Sequence, residues 1–210
     1  MPQLTEEETF LVQTVRAFID REVKPRVRDV EHANEYPERW IEQMKEMGIY
    51  GLAVPEQYGG LPVSMPCYAE VTEELARGWM SLAGAMGGHT VVAKLLVHFG
   101  TEDQKERYLP RMASGEVRAT MALTEAGGGS DLQAMTTVAR SDGDDFVING
   151  SKTWISNARR SGLIALLCKT DPAAKPRHKG GGDEVANLRL LHRWCHHRHH
   201  QRVGYKAAEA

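Results

Sequence analysis

Cysteine is scarce in this sequence. Cys67, Cys168 and Cys195 are an odd number and form no CxxC pair, which argues against a disulfide scaffold or a cysteine zinc site and makes a reducing cytoplasm the expected compartment. A surplus of charge is also missing. With 26 basic and 28 acidic side chains the net charge is −2, so nothing points to a nucleic-acid partner or a membrane surface. Residues 1–8 are acidic and polar, without the basic and apolar regions of a signal peptide. Unbroken apolar runs such as residues 163–168 are far too short to span a bilayer. Several ligand motifs are absent as well. No HExxH occurs, and a dinucleotide fingerprint would need glycine where Leu132 stands. A P-loop would need lysine directly after Gly150, where Ser151 intervenes before Lys152. A nucleophile elbow built on Ser130 would again need glycine at Leu132. What is left, 41% apolar and 26% charged, is an ordinary globular chain sized for one sizeable domain or two small ones.

Helix signals fill residues 1–115. Thr5 caps a first helix whose first turn sets Glu6, Glu7 and Glu8 against the positive end of the helix dipole. Leu11, Val15, Phe18, Ile19 and Val23 share one face of that helix, and Pro25 kinks or ends it. A second helix runs from Pro37, as its first-turn proline, to Gly48, as its stop. Residues 54–65, with Pro55, Gly59, Gly60 and Pro62, read as a loop. Helical patterning returns over residues 66–77 and 81–98, and Gly100 closes the latter. Thr101-Glu102-Asp103-Gln104 is a capping box that opens one more helix. From Val117 the pattern shortens into strands, at residues 117–123, 136–141, 145–149, 153–156 and 163–169, with Asp142-Gly143 and Asn149-Gly150 as hairpin turns. The expected fold class is α+β: an all-α helical domain over residues 1–115, then an incomplete antiparallel β-domain over residues 116–179, one strand after another. Residues 171–182 read as a linker, residues 187–194 as a short helix, and the rest of 180–210 as a tail unable to bury much by itself.

Two segments could carry chemistry. In the first, residues 121–131, a strand ends in Gly127-Gly128-Gly129-Ser130. Three glycines let the backbone approach a ligand, and the N–H groups and the Ser130 hydroxyl can meet an anion or a carbonyl oxygen. Taken alone, the segment also reads as a glycine-rich surface loop. In the second, residues 149–157, a hairpin strand would set Trp154 and Ser156 on one face. A large aromatic beside a hydroxyl suits a flat heterocycle, and alone it also reads as a core tryptophan with a surface serine.

In this order and together, the two segments resemble the acyl-CoA dehydrogenase family. TEAGGGSD at 124–131 is similar to that family's TEPxAGSD signature, and NGSKTWISNA at 149–158 to its NGxKxWITNA segment. FGTEDQKERYLP at 99–110 is similar to FGTEEQKxxYLP, and LAVPEQYGG at 52–60 to the GLxxPExYGG loop. The resemblance covers residues 5–178. It implies a helical domain, a β-domain and a C-terminal four-helix domain, with FAD between the last two. Carried over by position, Met121, Leu123 and Thr124 line the flavin ring from the strand end. Gly129 and Ser130 lie where the flavin meets the CoA thioester, Ser130 touching FAD phosphate or substrate. Trp154 and Ser156 pack on the flavin's other side. Ala126 stands where the family has proline, which implies a less rigid loop. The implied reaction is α,β-desaturation in fatty-acid or related acyl-CoA catabolism. A glutamate takes the α-proton of a polarised acyl-CoA thioester, and the β-hydrogen leaves as hydride to the flavin. An electron-transfer flavoprotein is the implied electron acceptor, and a homo-oligomer the implied assembly.

The family's glutamate belongs to the C-terminal domain, which has no counterpart here, so no catalytic residue is assigned; Glu125 reads as a loop or capping carboxylate. After Lys179 the sequence leaves the family pattern for a basic stretch that holds five of the nine histidines between His192 and His200. The composition break suggests a shifted reading frame and a truncated, inactive product with uncovered apolar faces that favour association. Crowded ligands such as His192, Cys195 and His196 have no supporting shell, and no metal site is expected. The alternatives are a non-enzymatic remnant with weak flavin or partner binding, and a flavin oxidase or monooxygenase on the same fold. Gly84, Gly87 and Gly88 read either as room for an acyl chain beside a helix or as close helix packing.

Overall fold

In the computed structural model, which describes residues 3–143, 145–170 and 188–192, helix α1 (Glu6–Phe18) starts at Thr5. The Thr5 hydroxyl accepts from Glu8 N–H and the Glu8 carboxylate accepts from Thr5 N–H, the reciprocal box that satisfies two free helix-end donors. Beyond Phe18 the helix widens into a π-helical turn, Ile19–Val23, that keeps Ile19 and Val23 buried. A turn containing Pro25 follows, and then a short α2 (Val27–His32) with no buried residue, which no hydrophobic period announces. Pro37 stands at the N-cap of α3 (Glu38–Glu46), one residue earlier than the expected first-turn position, and left-handed Gly48 (φ +74°) follows its end. The remaining helices are α4 (Met65–Gly78), α5 (Met80–Phe99) and α6 (Glu102–Ala113), the last opened by the Thr101/Gln104 capping box.

These helices share an apolar core. Val15, Ile19, Ile41, Met44, Leu75, Leu82 and Met86 are among its fully buried members. Helix α5 is long and apolar enough, by length and composition, to cross a membrane, although its apolar residues are interrupted; half of it is buried within this unit. A chain of ion pairs joins α1 and the π-turn to α4: Arg16–Glu74 at 2.7 Å, Arg77–Glu74 at 2.6 Å, Arg77–Asp20 at 2.8 Å and Lys24–Asp20 at 2.8 Å.

The chain divides into two units after Val117. In the second, β1 (Ala119–Ala122) pairs in parallel with β4 (Leu163–Leu167), and β4 pairs antiparallel with β5 (Leu188–His192), in the order β1-β4-β5. A separate hairpin pairs β2 (Val138–Asp142) with β3 (Asp145–Asn149) around Gly143, as the Asp-Gly signal requires. The two sheets meet where Ala139 N–H donates to Lys169 O at 2.8 Å and Lys169 N–H to Thr137 O at 2.9 Å. Ala122, Ala139, Leu166 and Cys168 form a small buried cluster, with Ile148, Ile155 and Ile164 packed on it.

Helices followed by strands are the α+β order the sequence implies. The detail differs: the sheet is mixed, not a succession of antiparallel neighbours. The connection from β1 to β4 contains a whole hairpin and a further extended segment, long enough to return β4 in the direction of β1. Residues 188–192 form a strand where the local pattern suggests helix, because the open edge of β4 offers a full ladder of backbone partners that outweighs local propensity. The linker at 171–182 and the His- and Cys-rich ligands beyond His192 lie outside the described residues. Among the described residues no group of three or more metal-ligating side chains occurs.

Candidate functional site

Strand β1 ends at Ala122, and residues 152–156 flank its end and the chain beyond it. Thr153 N–H donates to Thr124 O at 2.9 Å, Lys152 Nζ to Leu123 O at 2.8 Å, and Thr120 Oγ1 to Ser156 O at 2.8 Å. Residue 153 thus faces 124 and residue 156 faces 120, so the segment runs opposite to β1. The two stretches singled out in the sequence are neighbours on one edge.

The second stretch is not the hairpin strand its residues suggest. Gly150 has φ +146°, Trp154 φ +57° and Asn157 φ +63°. Two left-handed non-glycine residues break the alternation that would set Trp154 and Ser156 on one face. The Trp154 indole instead stands 88% exposed. A left-handed backbone at a bulky residue costs about 1–3 kcal/mol.

On the facing stretch, Met121, Leu123 and Thr124 are half-buried, Gly129 is half-buried and Ser130 is exposed. Gly129 lies close over Thr124: a Cβ there would come within 3.2 Å of Thr124 Cγ2. The turn between is closed by a pair of backbone bonds, Glu125 N–H to Gly128 O at 3.0 Å and Gly128 N–H to Glu125 O at 3.1 Å. The N–H groups of Gly127, Gly129 and Ser130 have no hydrogen-bond partner among the described residues. They are donors left available on an exposed loop, as an anion or carbonyl site needs.

What holds this loop is a buried carboxylate. Glu125 is 7% exposed. Its Oε2 accepts from Thr136 N–H and Thr136 Oγ1, each at 2.6 Å, and its Oε1 accepts from Thr137 N–H at 2.9 Å, from the Thr137 hydroxyl, and from Lys152 Nζ at 3.0 Å. Burial by itself would raise this acid, but the Thr136 and Thr137 hydrogen bonds outweigh it and hold the carboxyl well below the usual range. A carboxylate so satisfied is a poor proton acceptor, so the geometry supports the structural reading of Glu125 and gives it no role as a base. Asp131 is engaged locally, its Oδ1 accepting from Gln133 N–H at 3.1 Å. Reading residue by residue misses Lys152, although it stands inside the NGSKTW stretch beside Gly150. A lysine that spans from one of these stretches to the other is a contact that only tertiary structure reveals.

The family model for the acyl-CoA dehydrogenase N-terminal domain matches residues 5–116, and the model for the acyl-CoA dehydrogenase middle domain matches residues 120–187. The chain is 38% identical over 170 residues to (2S)-methylsuccinyl-CoA dehydrogenase of Cereibacter sphaeroides, a match covering 80% of this chain and 31% of that protein. It is similar to the crystal structure of an acyl-CoA dehydrogenase from Geobacillus kaustophilus, with TM-score 0.80 and 35% identity over 91% of this chain and 49% of the other. It is also similar to an acyl-CoA dehydrogenase complexed with FAD from Bacillus anthracis, with TM-score 0.72 and 33% identity over 80% of this chain and 29% of the other. The chain therefore spans less than half the length of each of these relatives.

Proposed function

The chain belongs to the acyl-CoA dehydrogenase family, and from that membership we propose that residues 121–130 and 152–156 hold FAD for the dehydrogenation of an acyl-CoA thioester. One observation carries the reading: the strand end 123–124 and the segment 152–153 are bonded side by side, which joins the stretch that carries the glycine-rich loop's unused N–H groups to the stretch that carries the exposed Trp154 indole. An open aromatic face beside free backbone donors fits a flat ring with a polar rim and a phosphate-bearing tail.

Met121, Leu123 and Thr124 would lie against the ring from the strand end, Gly129 and Ser130 would offer donors where cofactor and substrate meet, and Trp154 would take the ring's other side, with Ser156 two residues beyond it. Bound FAD supplies the acceptor for the hydride that leaves the β-carbon. The protein's own part is to orient the thioester, polarise its oxygen with backbone donors, and keep water away from the ring. The clamped Glu125 does not take the α-proton, and no described residue is assigned as that base. A Cβ at Gly84 or Gly87 would meet nothing within 4 Å. That openness on α5 argues against close helix packing at these two glycines. An electron-transfer flavoprotein as acceptor, a homo-oligomeric assembly and a cytoplasmic location complete the proposal.

The test is to titrate the 210-residue chain with FAD, following quenching of flavin fluorescence and the shift of its visible bands. Saturable uptake that Trp154→Ala weakens about tenfold is expected, from the loss of a stacked aromatic. Absence of uptake, or a Trp154→Ala variant that binds as well as the parent, would defeat the reading.

A further inference from the structure

We propose that Lys152 is the positioning residue of this edge, its buried ammonium fixing how the strand end 123–125 and the segment 152–156 lie against each other and so how the edge receives FAD. The proposal rests on the flavin reading above and deepens it. The Lys152 side chain is 7% exposed, and its Nζ donates to Leu123 O at 2.8 Å and to Glu125 Oε1 at 3.0 Å.

The two acceptors depend on the ammonium to different degrees. The Leu123 carbonyl is the first one past the end of β1, where the β1–β4 ladder has stopped, so it needs a donor from elsewhere. Glu125 already accepts from both threonines through both oxygens. Its bond to Lys152 is therefore not needed to satisfy the carboxylate; it ties the carboxylate to another part of the chain. Burying an ammonium is expensive unless it is paired and bonded, and replacing a buried pair by apolar packing is often neutral for stability. The best-attested use of such a pair is to set register. Here the register is between the two stretches that carry the proposed cofactor contacts: Thr153 N–H to Thr124 O is the next bond along from Lys152 to Leu123 O. Gly150 sets the lysine's base, since its backbone passes so close to Thr137 that a Cβ would lie 2.6 Å from Thr137 Cα. One carboxylate, one lysine and one close glycine contact thus tie three segments together.

The test compares the full chain with Lys152→Met, similar in length but unable to donate, and Lys152→Arg, which keeps the charge on a broader head. Two readouts are taken: backbone hydrogen exchange without cofactor, and FAD affinity. Lys152→Met should speed exchange at 123–130 and 153–156 about tenfold and weaken FAD by at least about as much, with β4 and the helices unchanged, as expected for a lost charge-assisted bond. Lys152→Arg should fall between Met and the parent on both readouts. The proposal is overturned if Lys152→Met leaves either readout within about twofold of the parent, or if it loosens β2, β3 and β4 together with the edge, the mark of a general stability role. Should the parent chain take up no FAD, the flavin reading fails, and the exchange pattern alone decides whether Lys152 positions the edge.

Discussion

Among the described residues each of the two units buries one carboxylate, and they hold it by different means. In the helical unit Glu74, 6% exposed, sits between Arg16 and Arg77. Burial works against its ionisation, and the Arg16 and Arg77 hydrogen bonds outweigh it to leave the carboxyl lowered. The two guanidinium side chains are 57% and 33% exposed, reaching in from solvent. Around them the helices pack through a large apolar cluster that does not need the pair. In the β unit Glu125 is held by short, neutral donors on the chain returning from the glycine loop, and by a lysine that is itself buried. Among the described residues the apolar cluster nearby is small, with Ala122, Ala139, Leu166 and Cys168 at its centre. Where apolar area holds the chain, the buried charge is an addition to the packing. Where three glycines have removed side chains to open a surface, the buried charge organises the backbone.

That contrast can be broken most sharply at Gly150. Alanine there must adopt φ +146° and place its Cβ 2.5 Å from Thr137 Oγ1, the hydroxyl that bonds Glu125. A cost of about 3 kcal/mol or more is expected, seen as lost exchange protection in β2 and β3 while α4 keeps its own. Next, Thr137→Val should cost the β unit about 2 kcal/mol by leaving a buried carboxylate short of a donor, whereas Arg16→Met should cost the helical unit about 1 kcal/mol or less because the arginine is more than half exposed. Equal effects in urea melts would erase the distinction.

Acid should weaken both units. Glu74 and Glu125 have folded values below their unfolded ones. Their contribution is therefore present above the unfolded carboxylate value of about 4.3 and is lost as pH falls below it toward the folded values. Exchange protection in α4 and β2 that stays level from pH 5 to about pH 3 would contradict that sign. The smallest effect is salt. Raising sodium chloride to about 1 M should loosen the Arg16–Glu74–Arg77 seam by about 0.5 kcal/mol and leave the Glu125 clamp unchanged.

Much of this was legible residue by residue. Thr5, Thr101 and Asp142-Gly143 act where local rules place them, because caps and hairpin turns are set by a few neighbouring atoms. The family motifs at 52–60, 99–110, 124–131 and 149–158 lie within the matched domains. The misreadings have a common cause: partners far along the chain. The parallel pairing of β1 with β4 depends on a long return. The strand at 188–192 depends on an open edge. Trp154 leaves the strand pattern in a segment whose neighbours Lys152 and Thr153 are tied to Leu123 and Thr124. Lys152 itself carries no local mark; its meaning is the carboxylate it meets 27 positions earlier in the chain.

Residues 121–130 and 152–156 are proposed to form one cofactor-holding edge. Hydrogen-exchange mass spectrometry of the chain with and without saturating FAD tests it directly. Slowed exchange is expected in both stretches together, centred on the amides of Gly127, Gly129 and Ser130 and on those around Trp154. Bound FAD that protects neither stretch, or only one of them, would contradict it.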